Sequence, residues 1–239
     1  MLKVKKLIRQ IVIYLRSDFQ QFVSDGRQYY LWQIRWIRSH LIYLYVFLLL
    51  IIVGFALGTN VRNEIAAFHG AYQDAIFNIG HWYGSGRPTL IAFALLYLFG
   101  LFINSQRIRL SGLLVGESYI LSGILTNVTK SLFGRWRPYT EHGSMFFTPL
   151  TAGPNDQLSF PSGHVTVAFA LSSVLAGYHK NIIWKSFWYT LAAITAVSRI
   201  YHDQHWLSDV LLSIIYGTVT GVWLTRHMIR KQSGEVNAF

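Results

Sequence analysis

The chain has no cysteine, only five prolines and only ten acidic residues in 239. Without thiols there can be no disulfide, zinc–thiolate site or cysteine nucleophile, although the redox compartment stays open. Charged residues of either sign make up 13% of the sequence, against roughly a quarter in ordinary globular domains. With 52% apolar residues and a mean hydropathy of +0.33, this scarcity excludes an ordinary soluble domain and indicates an integral membrane protein. The few acids leave a net charge of +11. Its basic residues flank apolar runs, so they read as contacts with anionic headgroups and as topology signals, not as a nucleic-acid surface.

Residues 1–40 carry Lys3, Lys5, Lys6, Arg9, Arg16, Arg27, Arg35 and Arg38 against Asp18 and Asp25. Ile8, Ile11, Val12, Leu15, Phe19 and Phe22 recur at helical spacing between polar residues, which predicts a basic amphipathic helix. That helix lies either on the membrane surface or against the rest of the protein. Tyr29, Tyr30, Trp32 and Trp36 read as an interfacial aromatic belt.

Six apolar segments follow, at about 41–58, 88–104, 111–129, 164–180, 182–198 and 207–225, each near the length that crosses a bilayer. The boundary between the fourth and fifth, from His179 to Trp184, is poorly marked. The expected fold is all-α: a six-helix transmembrane bundle over residues 41–225, preceded by the amphipathic segment 1–40 and followed by a tail, 226–239. Gly112-x-x-x-Gly116 and Gly217-x-x-x-Gly221 are expected to bring helices into close contact. Glu117, an acid inside the third segment, is expected to have a structural partner.

With the N-terminus inside, 15 of the 21 Lys/Arg fall on the cytoplasmic side. Four of the remaining six, Lys130, Arg135, Arg137 and Arg199, belong to polar motifs. This bias predicts cytoplasmic termini. It also places three polar clusters at the opposite face.

The first cluster runs from Lys130 to Pro138, with Lys130 and Arg137 two helical turns apart. A lysine point charge and a planar arginine fork suit a tetrahedral phosphate, although snorkelling cations would look the same. The second is Phe160-Pro161-Ser162-Gly163-His164, opening the fourth segment. It offers a serine cap, free backbone N–H groups for an anion and an imidazole able to donate a proton; an incidental N-cap is the plainer alternative. The third runs from Ser198 to Asp209. Arg199 can hold an anion, and Asp209, four residues after His205, can fix its tautomer and free the other ring nitrogen as nucleophile. His202, Asp203, His205 and Asp209 could instead ligate a metal, but the surrounding Lys and Arg favour an anion.

Lys130-x6-Arg137-Pro138, Pro161-Ser162-Gly163-His164 and Ser198-Arg199-x5-His205-x3-Asp209 together resemble the three-part signature of the type-2 phosphatidic acid phosphatase superfamily. The motifs cover residues 130–209, and the six-segment layout extends the likeness over 41–225; the first 40 residues lie outside it. The resemblance implies a metal-independent membrane phosphatase that needs no cofactor. In it Lys130, Arg137 and Arg199 would bind phosphate, assisted by Ser162 and Gly163. His205 would form a phosphohistidine, Asp209 would orient it, and His164 would protonate the leaving group.

The expected substrate is a lipid phosphate or pyrophosphate reached from the bilayer, with no nucleic acid and no obligate protein partner. Phosphatidylglycerol phosphate, phosphatidic acid, lipid A phosphate and undecaprenyl pyrophosphate all fit. Trp82, Tyr83, Trp136, Tyr139 and Trp206 are expected to ring the entrance, and residues 139–160 to form a long outer loop. The setting expected is a bacterial inner membrane with a periplasmic site. A lipid-to-lipid phosphotransferase and a non-catalytic lipid-binding bundle are the alternatives.

Overall fold

The computed structural model describes residues 2–178 and 180–233, with side chains from residue 9 onward. The expectations resting on His179, on residues 234–239 and on the side chains of Lys3, Lys5, Lys6 and Ile8 lie outside the described residues. Among the described residues there are eight α-helices: α1 Leu2–Ser39, α2 Leu41–Ala66, α3 Ala71–Gly84, α4 Arg87–Phe102, α5 Gln106–Phe133, α6 Gly163–Gly177, α7 Ile182–Tyr201 and α8 Leu207–Ser233.

Three of these, α2, α5 and α8, are each long and apolar enough to cross a membrane. A fourth crossing is available if α3 and α4, bent by 54° at Ser85–Gly86, are taken together. At 15 residues, α6 spans roughly 22 Å by helical rise, less than the ~30 Å hydrocarbon thickness.

The sequence reading missed α3. Gln73, Asp74, Asn78 and His81 interrupt its apolar residues, so it shows no span signal. Glycine and hydroxyl contacts hold it against α7 instead. Thr195 and Ser198 donate to the carbonyls of Gly80 (2.9 Å) and Phe77 (2.7 Å). A Cβ at Gly80 would lie 2.8 Å from the Ile194 backbone, and one at Gly84 the same distance from the His164 carbonyl. Gly86 then turns the chain into α4 with φ +83°, a conformation open to glycine and strained for other residues. The segment expected at 88–104 is thus α4, joined to α3 at a 54° bend.

The other glycine pairs behave as expected. Cβ atoms at Gly217 and Gly221 would lie 2.4 and 2.6 Å from the Thr166 and Ala170 carbonyls, so α6 and α8 pack at backbone distance. Gly112 does the same between α5 and α4, against Tyr97. The core beside these contacts is rich in hydroxyls, and Ser122, Thr129, Ser213, Thr220 and Thr225 each donate back to the carbonyl four residues earlier. Such bonds satisfy polar groups locally where no water is at hand.

Helix α1 is amphipathic, but its buried side is the acidic one. Asp18 pairs with Arg109 and accepts from Tyr97 at 2.6 Å; Asp25 pairs with Lys231. Tyr29 is fully buried, shares a 2.6 Å hydrogen bond with Thr220 and packs on Trp223, so it belongs to the core and not to an interfacial belt. Val12, Leu15 and Phe19 point outward. Buried carboxylates with cationic partners set the register of this helix, and its apolar stripe is left exposed.

Helix α8 runs on to Ser233, so residues 226–233 of the segment expected as a tail are helical. One further expectation is corrected. Glu117 is buried, yet neither carboxylate oxygen has a hydrogen-bond partner among the described residues.

Candidate active site

The three polar clusters meet at one end of the bundle, where α5 stops, α6 starts and the α7–α8 turn crosses. Gly134, in the left-handed region at φ +57°, ends α5. The following loop then folds back as an ordered layer: Thr148 N–H donates to the Gly134 carbonyl (2.8 Å), Ser159 N–H to Arg135 (2.8 Å) and Arg137 N–H to Asp156 (2.9 Å).

Asp209 is the hub. It is fully buried in the first turn of α8, where a carboxylate is favoured by the exposed N–H groups. One oxygen, Oδ2, accepts the Trp206 N–H (2.8 Å) and the Ser159 hydroxyl, and lies 3.6 Å from His205 Nδ1. The other, Oδ1, is bound by Arg135. The expected Asp209–His205 pair therefore forms, although His205 sits in the turn before the helix.

A carboxylate facing Nδ1 favours the proton on that nitrogen and leaves Nε2 with its lone pair. Burial first, and then Arg137 and Lys130, hold the His205 imidazole well below its ordinary pKa, against the opposing pull of Asp209. The ring is therefore neutral at neutral pH, the state a nucleophile needs.

Three cations converge on the same space. Lys130 donates to the Leu158 carbonyl. Arg137 is held by Asn155, through its carbonyl (2.9 Å) and side-chain oxygen (2.8 Å), and by Gln204 Oε1 (2.7 Å). Burial lowers the pKa of its guanidinium, and nearby Tyr139, Asp209 and Asp156 oppose the shift. Arg199 donates from Nη1 to His81 Nδ1 at 2.7 Å. Lys130 lines the same groove as His164, and it is bonded to Leu158, whose neighbour Ser159 lies 3.4 Å from His205 Nδ1, so both imidazoles flank the Lys130 end of the site.

Besides Trp136 Nε1, two polar atoms in this region are buried and unpartnered, Arg199 Nε and Ser162 Oγ. Both can donate, and buried donors are rarely left unpaired without a reason. Ser162 occupies the N-cap position of α6 but makes no side-chain capping bond, which corrects the expected cap and leaves its hydroxyl free. At Gly163 a Cβ would meet nothing within 4 Å. Orphaned donors, cations and an open helix N-terminus make a site complementary to a tetrahedral anion.

The rival metal set does not converge. Asp203 is bound by Arg62 at 2.6 and 2.7 Å, Asp209 is bound by Arg135, and His202 Nδ1 contacts the Ser198 carbonyl at 2.7 Å.

Of the expected aromatic ring, Trp82 and Tyr139 are exposed. Tyr83 and Trp206 are core residues, bonded to Ser172 (2.8 Å) and to the Trp136 carbonyl (3.0 Å). Arg135 was given no role by sequence, and Ser159, Asn155, Gln204 and His81 were not singled out. Arg135 stands in the first polar cluster, and Gly80-x-x-x-Gly84 frames His81; those were the available signals.

A groove of about 570 Å³ reaches Lys130, Gly163 and His164 from the side of the bundle, between the α3–α4 corner and one face of α5. Its walls include Ile120, Ile124, Val128 and Val167, and Gly123 leaves it open.

Residues 111–233 match the family model described as PAP2 superfamily. A lipid A 1-phosphatase of Porphyromonas gingivalis is 31% identical over 122 residues, 48% of this chain and 24% of that protein. The undecaprenyl-diphosphatase BcrC of Bacillus subtilis is 29% identical over 134 residues, 56% of this chain and 66% of that protein. The chain thus spans less than two thirds of the length of these curated relatives. Among solved structures, Aquifex aeolicus LpxE superposes with a TM-score of 0.55 at 24% identity, covering 71% of this chain and 95% of its own. A transmembrane PAP2-type phosphatidylglycerolphosphate phosphatase from Bacillus subtilis gives 0.55 at 20% identity, covering 82% and 98%.

Proposed function

The chain belongs to the PAP2 superfamily, and from that premise we propose that it is a metal-independent phosphatase of lipid phosphates or pyrophosphates, acting through a phosphohistidine. The observation that carries this reading is the pair of buried, unpartnered donors, Arg199 Nε and Ser162 Oγ, beside Lys130, Arg137 and two histidines. The matched relatives named as lipid A 1-phosphatase and undecaprenyl-diphosphatase support the substrate class. So does a groove whose apolar walls end at Lys130 and His164.

In this mechanism Lys130, Arg137, Arg199 and the Ser162 hydroxyl hold the phosphate oxygens and stabilise charge that builds on them. His205 Nε2 attacks phosphorus as the bond to the leaving oxygen breaks, and both bonding electrons go to that oxygen. His164 supplies its proton. The Nδ1 proton of His205 stays facing Asp209, which stabilises the cationic phosphohistidine. Water then attacks phosphorus, passes a proton to His164 and breaks the P–N bond, releasing inorganic phosphate.

The membrane arrangement proposed has six crossings, with the bent α3–α4 pair as the second and α2, α5, α6, α7 and α8 as the rest. The basic bias of the inner segments supports cytoplasmic termini and a periplasmic site in a bacterial inner membrane.

The test is phosphate release from dioctanoyl phosphatidate by the full chain in detergent with EDTA present. Vanadate should inhibit, and His205→Ala and His164→Ala should each lose nearly all activity. Undiminished turnover in His205→Ala would remove the mechanism. Labelled phosphate appearing on a second lipid, with none released as free phosphate, would identify a phosphotransferase instead.

A further inference from the structure

We propose that His81 is a positioning residue of this site, holding Arg199 ready for phosphate and flanking His164. His81 lies on α3, outside the residues matched by the family model and outside the three motifs. The inference rests on the phosphatase reading above, which assigns Arg199 to the phosphate.

A guanidinium has only donors, so His81 Nδ1, 2.7 Å from Arg199 Nη1, must accept. The ring is therefore neutral and carries its proton on Nε2. The His81 ring also stacks on His164, with centroids 5.1 Å apart and planes inclined by 20°. One imidazole thus fixes the fork of Arg199 with its unpaired Nε, and the face of the ring assigned to protonate the leaving group.

The residue type matters. A carboxylate at this position would hold Arg199 more tightly, but its negative charge would offset the guanidinium and repel the phosphate. A neutral acceptor orients Arg199 without spending its charge. Placement depends on Gly80 and Gly84, whose missing side chains let α3 approach α7 and α6 at backbone distance. His81 itself is exposed, so replacing it opens no core cavity.

The experiment compares wild type with His81→Ala, His81→Asn and His81→Asp, each as full chain in detergent. Dioctanoyl phosphatidate is the substrate, vanadate the competing anion, and thermal unfolding checks folding. In His81→Ala, kcat/KM should fall about 10-fold, the loss of one charge-assisted hydrogen bond. Much of it should appear in KM, and vanadate inhibition should weaken in parallel. Asparagine can place its side-chain oxygen where Nδ1 stood, and should recover most of the loss. Aspartate, able to hold Arg199 but charged, should be no better than alanine.

A merely structural role would make asparagine and aspartate equivalent and leave KM and vanadate inhibition unmoved; either result overturns the proposal. If the wild type fails to hydrolyse phosphatidate, the function proposed above fails separately. The shift in unfolding temperature produced by vanadate then decides on His81: a smaller shift in His81→Ala, restored in His81→Asn, supports it, and equal shifts overturn it.

Discussion

Arg135 and Asp209 form an ion pair with both side chains fully buried. The same guanidinium donates to the Ser208 hydroxyl (2.6 Å) and the Ser144 carbonyl (3.0 Å), and lies 4.5 Å from the Phe55 ring centre. Asp209 therefore stays ionised between Arg135 on one oxygen and the His205 side on the other. Removing one partner of a buried pair leaves a charge uncompensated, at a cost of about 3–5 kcal/mol. Arg135→Ala should lower the thermal unfolding temperature and abolish most activity together. Arg135→Lys, which keeps the charge but not the fork, should fall between.

Ser162→Ala should separate activity from stability. The hydroxyl is buried without a partner, so its loss removes no hydrogen bond from the fold and should leave the unfolding temperature little changed. If it donates to the phosphate as charge develops, turnover should drop about 100-fold. Parallel unfolding and phosphate-release assays test this, and unchanged turnover would remove Ser162 from the phosphate site.

The pH dependence has a defined sign. His205 has a folded pKa well below its unfolded value of about 6.5. Its neutral form therefore contributes stability that is present above pH ~6.5 and is lost as pH falls toward the folded value, because the unfolded chain binds the proton first. Unfolding temperatures measured from pH 8 to pH 5 should decline more steeply in wild type than in His205→Gln. Equal slopes would show that His205 is not held neutral by burial.

Asp18→Ala should leave Arg109 buried and unpaired at the opposite end of the bundle. A loss of about 3–5 kcal/mol is expected, with kcat and KM on dioctanoyl phosphatidate unchanged at a temperature where the variant stays folded. A changed KM would mean that α1 communicates with the site.

Much of this protein is written in local sequence. Apolar runs bounded by charge fixed the all-helical membrane class. The helices α4 to α8 fell close to the expected segments, because a helix in lipid must satisfy its backbone internally and so needs a continuous apolar stretch. The spacing of His205 and Asp209 anticipated their pairing, since four residues bring side chains together even where the helix is only beginning.

Tertiary structure decided what local spacing does not encode. The short, polar α3 owes its place to Gly80, Gly84, Thr195 and Ser198, contacts made across a long stretch of chain. The division of labour among the arginines was equally invisible. Arg135 and Arg137 are two residues apart, yet one is committed to Asp209 and the other to Asn155 and Gln204. Charge and spacing indicate that cations gather at one end of the bundle. Which of them keeps a free donor depends on the carboxylates, carbonyls and imidazoles that distant segments bring within hydrogen-bonding range.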